Sequence, residues 1–407
     1  METTICGISA WQYARTPPAL REVELDAAFA RTAGLAEDLL GTRRDTREPD
    51  RLVASRLLTD LKGLTPPIHV LVDASCNGRT TRFTVPHRCD VEGLRRHRIN
   101  LGNGLFVLSP EAVACHQGAS VHPVLISKMM HEVCGIFSLL PQSKLLDALV
   151  RELIREGVLR PEAFRSKVFG FSDERGRPLA SLAGDGRELE WAPAFDRKGK
   201  LTDIWKHAPL GSVEGLREVA EDLELSPRHP VRRAIAMTKD GAASPAEVDA
   251  HLLLCSGRAN GGESWGSPHL NRVIPFTPEA RLLSDRERCV GDLVWHELRS
   301  VLEVQGEAFH ADEEGFRVAS GRTAALENMG YSVGELLYAQ MADLEMLDAV
   351  LPSLAEKLGF GLENRTPAFL KRRQTMHEHL FGIPFEQDSI RVPSRGRRRA
   401  RAGAECP

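Results

Sequence analysis

Two apolar runs in the C-terminal half, CVGDLVW and SVLEVQG, constrain the fold more than any other part of the chain. Both are rich in β-branched and large apolar residues, and only the short polar connection HELR separates them, a pattern typical of a β-hairpin. With that connection as the loop, Trp295 pairs with Ser300, and Asp292 pairs with Glu303. Directly opposed residues share one face of a sheet, with Cβ atoms roughly 5 Å apart. The sequence therefore predicts two neighbouring carboxylates.

These two acids need a partner, because ionised carboxylates are rarely buried alone. Side chains alternate along a strand, so Gln305 points to the same face as Glu303. Two acids and an amide at one place predict a hard divalent cation with oxygen ligands, Mg²⁺ or Mn²⁺. Two alternatives stay open. A register slip of one residue would put the acids on different faces, and acids at strand ends are often solvated edge groups.

The segments around the hairpin predict the order helix, three strands, helix, strand, helix. SPAEVDAHLLLCSG predicts the first helix, with Ser244 as N-cap, Pro245 at the first helical position and Glu247 three residues after the cap. LNRVIPFT predicts the strand before the hairpin. FRVASGRTAALENMG predicts a helix that ends at Gly330. YSVGELLY and MADLEMLDAVLPSLAEKLG predict the last strand and the last helix.

This order, with an Asp on the second strand and Glu-x-polar on the third, resembles the PD-(D/E)XK nuclease superfamily. Residues 241–360 resemble more narrowly the small endonuclease-like domain related to very-short-patch-repair nucleases, found at the C-terminal end of many actinobacterial proteins. The matching stretches are SPAE, CVGDLVW, VLEVQGEAFH and RTAALENMGYSV. The resemblance implies a metal-dependent endodeoxyribonuclease that hydrolyses DNA phosphodiester bonds with Mg²⁺ or Mn²⁺, in phage defence or DNA repair.

The resemblance also implies roles for individual residues. Asp292 and Glu303 would ligate the metal, and Glu247 would be an outer-shell or auxiliary acid. His310 would be a site residue, because an imidazole can act as general acid or base at neutral pH. Gln305 completes the predicted catalytic set. The alternative for Glu247 is a capping-box residue without a catalytic role, and for His310 a surface imidazole in a loop.

Two positions depart from the family pattern. Gln305 stands where relatives usually carry an acid; its carbonyl can ligate weakly or orient a water, but it brings no charge. Ala319 stands where relatives often carry an Asp in the following helix. The alternative function is therefore a catalytically degenerate nuclease fold that binds nucleic acid or a partner protein. A third possibility is a regulator of a defence operon.

Composition is that of an ordinary globular protein: 407 residues, 42% hydrophobic and 27% charged, with a net charge of −3. No apolar run is long enough to span a membrane and no signal peptide is recognisable, so we expect a cytoplasmic protein without a membrane partner. The eight cysteines are scattered singly, which argues against zinc ribbons and a disulfide framework. DNA is the expected partner, and four short basic runs are candidates for phosphate contacts: RRHRIN (95–100), RHPVRR (228–233), KRR (371–373) and RGRRRAR (395–401).

The expected fold class is α/β, or α+β overall, with a mixed sheet in the C-terminal domain and a small sheet in an N-terminal α+β domain. The predicted units are a regulatory or targeting domain (1–169), a polar linker (170–211), connecting helices (212–240), the endonuclease-like domain (241–360) and a C-terminal helix with a basic tail (361–407). In the first unit, PPIHVLVD, TTRFTVP and GLFVLSP predict strands. SPEAVACHQ predicts a helix capped by Ser109, and LFVLSPEAV weakly resembles abortive-infection antitoxin-type proteins. The glycine-rich segment 256–269 is predicted to be a mobile loop.

Overall fold

The computed structural model describes residues 2–21, 64, 67–73, 79–81, 83–89, 92–117, 121–142, 144–161, 168–169, 172–173, 191–196, 198–306 and 313–382. Helices and mixed sheets occur throughout these residues, so the expected α+β class is confirmed. None of the helices in these ranges combines the length and the apolar character that a membrane crossing requires.

The N-terminal residues form a five-stranded sheet covered by short helices. Its strands are β1 (Thr3–Ile5), β2 (Ile68–Asp73), β3 (Thr84–Cys89), β4 (Arg98–Gly102) and β5 (Leu105–Leu108), and their order is β3-β2-β1-β5-β4. The helices are α1 (Gly7–Arg15), α2 (Pro18–Arg21), α3 (Glu92–Arg95) and α4 (Pro110–Cys115). The strands predicted from PPIHVLVD and GLFVLSP are found as β2 and β5, whereas β3 overlaps TTRFTVP only at residues 84–86 and continues to Cys89. The predicted cap is also found, since Ser109 Oγ accepts a hydrogen bond from the Ala112 N–H.

A second sheet corrects the predicted linker. The next elements are α5 (Pro123–Val133), β6 (Phe137–Leu139), α6 (Lys144–Arg155), β7 (Val168–Phe169), β8 (Ser172–Asp173), β9 (Ala192–Phe195) and β10 (Leu201–Lys206). Strands β6, β10 and β9 pair in that order. Leu201 and Trp205 of β10 are buried beside Val150 and Leu153 of α6. The part of 170–211 that includes β9 and β10 is therefore folded and not a linker.

Two helices predicted as connectors belong to the N-terminal core. They are α7 (Val213–Asp222) and α8 (Pro230–Met237). Leu216 of α7 and Val231 of α8 are fully buried in one cluster with Ile5 and Val107 of the five-stranded sheet. Segment 212–240 therefore packs into the core of the five-stranded sheet and is more than a connection between two units.

The C-terminal elements follow the predicted order with short helical segments added. They are α9 (Pro245–Cys255), β11 (His269–Pro275), α10 (Pro278–Ser284), β12 (Arg288–Trp295), β13 (Ser300–Gln305), α11 (Glu313–Asn328), β14 (Ser332–Leu337), α12 (Tyr338–Ala342), α13 (Leu344–Leu358), α14 (Pro367–His377) and a π-helix (Glu378–Gly382). The short helices α10 and α12 and the π-helix were not predicted. The strands form a sheet in chain order, antiparallel from β11 to β13 and parallel between β13 and β14.

Helices cover both faces of this four-stranded sheet, which fixes where each strand residue points. Leu293 and Leu302 lie in one core with apolar residues of α9 and α13. Val294 and Val301 lie in a separate core with Ala325 and Leu326 of α11. Residues of β13 alternate between the faces, so Glu303 and Gln305 point to the same side as Val301, towards α11. In β12 the alternation is interrupted, because Cys289 and Val294 both lie in the core beneath α11.

The glycine-rich segment 256–269 is held against α14, contrary to the expected mobile loop. Glu263 and Trp265 are buried, and Arg373 of α14 donates a hydrogen bond to Glu263. Gly261 has a positive φ, and a Cβ placed there would lie 2.6 Å from the carbonyl oxygen of Arg372. The loop is therefore fixed by a buried ion pair and by a close backbone approach.

Candidate functional site

The predicted hairpin has the predicted register. Leu293 pairs with Leu302 and Trp295 with Ser300, and this register, continued by one residue beyond the ladder, places Asp292 level with Glu303. Glu303 alternates with Leu302, which packs on α9, and its carboxylate pairs with Arg322, so it faces α11. The alternation in β12 is interrupted before Leu293, since Cys289 and Val294 both lie in the core beneath α11. The Asp292 carboxylate is directed at the Val304 N–H of the neighbouring strand. The alternative of a slip by one residue is wrong for this hairpin.

The two acids belong to a polar row that crosses all four strands. The flanking pairs on β11 and β12 place Asn271 opposite Asp292, and Glu303 of β13 is paired in register with Glu335 of β14. The row thus reads Asn271, Asp292, Glu303, Glu335 from one edge of the sheet to the other. We call these four residues the acidic row. Three carboxylates on adjacent strands repel one another unless a cation or a proton compensates them.

Asp292 is oriented by the neighbouring strand. Its Oδ2 accepts a hydrogen bond of 2.7 Å from the backbone N–H of Val304. Burial raises the pKa of Asp292 well above its ordinary value, and the charges of Glu247 and Glu303 raise it further. The hydrogen bond and the Arg322 guanidinium act in the opposite direction. Asp292 is thus a fixed carboxylate whose ionised form lacks sufficient positive charge around it.

Glu303 has one partnered and one unpartnered oxygen. The residue is 5% exposed, and its Oε2 lies 2.8 Å from Nη2 of Arg322 on α11. Its Oε1 is buried and has no hydrogen-bond partner among the described residues. Burial raises the pKa of Glu303 to about 7; Arg322 opposes this, while Glu335 and Glu247 add to it. A buried carboxylate oxygen without a donor is costly, which makes this atom a candidate ligand.

Glu247 lies in the first turn of α9 and contacts Asn271, the first residue of the acidic row. Its Oε1 accepts from the Ser244 hydroxyl, and its Oε2 accepts from the Ala243 N–H and from Nδ2 of Asn271. The Glu247 N–H in turn donates to Ser244 Oγ, so the predicted N-cap is present. The carboxylate reaches back to the Ala243 N–H, one residue before the position that a capping box uses. Both carboxylate oxygens are thus engaged within the protein. Glu247 acts on Asp292 through its charge and through Asn271.

The other predicted site residues have different outcomes. Gln305 lies at the end of β13, 9% exposed, and its Oε1 is buried without a hydrogen-bond partner among the described residues. His310 lies outside the described residues. Ala319 lies in α11, where it is half-buried. Of the predicted set, Glu247, Asp292 and Glu303 lie close enough for their charges to act on one another, and Gln305 follows Glu303 on the same face of β13.

Three site residues escaped the sequence analysis: Asn271, Arg322 and Glu335. Glu335 lies in a predicted strand, but the parallel register of β14 with β13 cannot be read from sequence. Arg322 looks like an ordinary polar residue of an amphipathic helix. For Asn271, its position in an otherwise apolar run was the only available signal, because Asn is depleted in strands.

The donor set fits a hard cation in composition but is not a preformed metal cage. Within the ranges given above, no three or more His, Cys, Asp or Glu side chains are arranged to hold a metal ion. A site here would use the Asp292 and Glu303 carboxylates with the Gln305 carbonyl, all oxygen donors of the kind that Mg²⁺ and Mn²⁺ prefer. The unpartnered oxygens of Glu303 and Gln305 support this fit.

The basic runs are only partly available for phosphate contacts. Arg98 pairs with Glu2 and lies over the Phe106 ring. Arg373 is 1% exposed and bonds Glu263 and Asp348, so the KRR run offers only its first two side chains. Run 395–401 lies outside the described residues.

Chemically, the site combines two adjacent carboxylates, an amide and an arginine at the junction of β12, β13 and α11. Such a set can hold a divalent cation near a phosphate group, or it can remain as a neutralised ion pair. The chain was also compared with protein-family models, with curated proteins and with solved structures, and no match was found in any of the three comparisons.

Proposed function

We propose that this protein is a metal-dependent endonuclease that hydrolyses phosphodiester bonds in DNA. The observation that carries the proposal is the approach of Asp292 and Glu303 at the end of the β12–β13 ladder, where the charge of Glu303 acts on Asp292. Glu303 Oε1 is buried there, with no hydrogen-bond partner among the described residues. Two acids in this arrangement suit Mg²⁺ or Mn²⁺. A chain that only needed a stable sheet would place apolar residues there.

The order of elements supports the proposal. Helix α9, strands β11, β12 and β13, helix α11 and strand β14 follow the α-β-β-β-α-β order of the PD-(D/E)XK superfamily, with α10 as an addition. The fourth strand joins the sheet parallel to the third. Fold analogy alone does not fix a function, and so the weight rests on the site residues.

The chain's own residues would divide the work as follows. Asp292 and Glu303 would hold the cation, and the Val304 N–H keeps one Asp292 oxygen in place. When bound, a divalent cation polarises the scissile phosphate and lowers the pKa of a coordinated water. Gln305 would offer its carbonyl oxygen as a weak ligand or orient the water. His310 would serve as general acid or base.

The biological setting is part of the proposal. Phage defence and DNA repair both require an endonuclease of this kind, and both place the protein in the cytoplasm with DNA as its partner. The N-terminal residues would then choose the target or regulate cleavage.

The test is cleavage of supercoiled and linear DNA by purified protein with Mg²⁺ or Mn²⁺. Asp292→Asn and Glu303→Gln keep the size of each side chain and remove its charge. Glu297→Gln, in the exposed hairpin turn, is the matched control. We expect cleavage that requires the metal, is lost in the first two variants and persists in the control. Cleavage that survives both site variants would contradict the proposal.

A second function is favoured by one observation, the ion pair between Arg322 and Glu303. A resident arginine supplies positive charge at a position where a metal would otherwise be needed. The protein would then be a nuclease-like fold that binds nucleic acid without cutting it. Folded protein that binds DNA equally well in wild-type and Glu303→Gln form, without metal and without cleavage, would favour this function over the first.

A further inference from the structure

We propose that Arg322 is an exchangeable counter-cation: it pairs with Glu303 while the site holds no metal, and it moves to a substrate phosphate when a divalent cation takes its place. This inference rests on the endonuclease function proposed above and adds a phosphate-positioning residue to it. The contact that suggests it is the 2.8 Å pair between Arg322 Nη2 and Glu303 Oε2.

The ion pair between Arg322 and Glu303 has fewer contacts than an arginine pair that serves stability. Arg322 is in contact with a single oxygen of Glu303, and the other oxygen has no partner among the described residues. Arginine usually contacts a carboxylate with two parallel hydrogen bonds where the pair serves stability. The same domain provides a comparison, because Arg373 is 1% exposed and bonds both Glu263 and Asp348.

The surroundings of Arg322 allow its head group to move while its backbone stays fixed. Ala325 and Leu326, on the next turn of α11, are fully buried against Val294 and Val301. The Arg322 side chain itself is 31% exposed, whereas that of Glu303 is 6% exposed. The guanidinium therefore lies at the border between the acidic row and solvent, on a long side chain that can reorient.

The charge balance also favours replacement of Arg322 by a stronger cation. Asp292, Glu303 and Glu335 carry three carboxylates along one row, and Glu247 adds a fourth beside Asn271. Among the described residues, the Arg322 guanidinium pairs with Glu303 and compensates only part of this charge. A divalent cation carries twice that charge and uses the oxygen atoms that Arg322 leaves unpartnered.

The displaced guanidinium would then find a partner nearby. Its planar fork of N–H donors matches the geometry of phosphate oxygens. A DNA phosphate entering a metal-loaded site would meet the arginine at the solvent border, so Arg322 would position the substrate without ligating the metal.

The experiment measures Mn²⁺ binding by electron paramagnetic resonance for wild type, Arg322→Gln and the control Arg272→Gln, an exposed arginine on β11. We expect Arg322→Gln to bind Mn²⁺ about fivefold more tightly, because a competing ion pair of ordinary strength is removed. Arg272→Gln should bind like wild type. An affinity that is unchanged or weaker in folded Arg322→Gln would overturn the inference.

A second measurement tests whether Arg322 moves to a DNA phosphate, as distinct from the mere loss of its charge beside Glu303. The affinity for a phosphorothioate-substituted DNA duplex, which suppresses cleavage, is measured by fluorescence anisotropy with and without Mn²⁺. We expect Mn²⁺ to increase the DNA affinity of wild type by a larger factor than that of Arg322→Gln. Equal increases in the two proteins would exclude a phosphate contact made by Arg322.

The design distinguishes failure of this inference from failure of the proposed function. If wild type binds Mn²⁺, Glu303→Gln abolishes binding and Arg322→Gln leaves it unchanged, only the exchange is wrong. If folded wild type binds no Mn²⁺, the endonuclease proposal fails and the exchange with it. Should Arg322→Gln fold poorly, the double variant Arg322→Gln/Glu303→Gln removes both charges, and we expect it to fold like wild type and to bind no Mn²⁺.

Discussion

Asn271 is the residue whose backbone most clearly serves the site. It lies within β11 with a φ of 48°. This is the left-handed backbone region, which few residues other than Gly and Asn adopt readily. Its Nδ2 donates to Glu247 Oε2 and to the carbonyl oxygen of Gly241. One residue thus ties the start of α9 to the edge strand beside Asp292.

Replacement of Asn271 separates these two contributions. We expect Asn271→Ala to lower the free energy of unfolding by about 2–4 kcal/mol, because it loses buried hydrogen bonds and adopts the left-handed conformation poorly. Asn271→Gly loses the bonds but tolerates the backbone, so it should be more stable than Asn271→Ala by ~1 kcal/mol. Urea unfolding of the three proteins measures both differences, and equal stability of the Ala and Gly variants would refute the backbone contribution.

Two buried histidines predict an acid-sensitive fold. His131 Nε2 lies 3.1 Å from His251 Nδ1, and both rings are buried between α5 and α9. Burial lowers the pKa of His131 to about 4, and it lowers the pKa of His251 well below its ordinary value. The unfolded chain therefore binds protons that the folded chain does not, and stability falls as the pH drops from about 6.5 towards 4.

The variant His131→Gln tests this pH dependence. Gln keeps an acceptor for the Lys239 N–H, which donates to His131 Nε2, but it does not titrate. Between pH 7 and pH 5, we expect the loss in free energy of unfolding to be smaller than in wild type by about 2 kcal/mol. Urea unfolding at the two pH values measures it, with the exposed His296→Gln as control. An unchanged loss in His131→Gln would show that His131 is not responsible.

At the scale of elements, the sequence predicted those parts whose signal is local. Among the described residues, six helices begin with a capping residue followed by proline, and two of these starts, at Ser109 and Ser244, were predicted. The others are at His122, His229, Thr277 and Thr366. The hairpin register was also predictable, because a short turn fixes which residues face each other. The position of Asp292 beside Glu303 on the neighbouring strand was therefore predictable from the sequence.

The sequence analysis missed elements and contacts that depend on residues distant in the chain. In β10, the two buried residues Leu201 and Trp205 are four positions apart, and Asp203 between them is exposed, so the strand shows no clear alternation. Its apolar partner is α6, which precedes it by many residues. The contact of Arg322 with Glu303 likewise depends on how α11 packs on the sheet. Tertiary packing decides such elements, and sequence periodicity does not report it.

The docked loop before β11 gives a prediction about one glycine. We expect Gly261→Ala to lower the free energy of unfolding by at least ~2 kcal/mol, because its φ is 102° and a Cβ would lie 2.6 Å from the Arg372 carbonyl oxygen. Gly257→Ala in the same loop is the control, since nothing lies within 4 Å of its added Cβ. Urea unfolding measures both. Similar losses in the two variants would show that the approach to α14 contributes nothing.

At the scale of the whole molecule, α5 joins the parts that the sequence separates. Ile126 and Met130 belong to the N-terminal core, whereas Val124 belongs to the core beneath α9 and α13. On the same helix, Lys128 Nζ lies 2.9 Å from Asp249 of α9 and donates to the Leu380 carbonyl oxygen. The boundary expected near residue 241 is therefore crossed by apolar packing and by a buried ion pair.

Removal of the lysine tests this coupling. We expect Lys128→Met to lower the free energy of unfolding by about 3 kcal/mol, because Asp249 is buried and loses its counter-charge. Adding Asp249→Asn should recover part of the loss. Hydrogen exchange should show weaker protection in both α5 and α9. Loss of protection in α5 alone would indicate that the two parts fold independently.

The position of α5 in the chain has a consequence during synthesis on the ribosome. The side of α5 that meets the N-terminal sheet finds its partners in residues already made, but the side that carries Val124 and Lys128 must wait for α9 and the π-helix. Until those residues emerge, the nascent chain displays an apolar and charged helix surface with nothing to cover it. Chaperone binding is expected at that stage, and a translational pause before residue 245 would prolong the period in which the unfinished chain can aggregate.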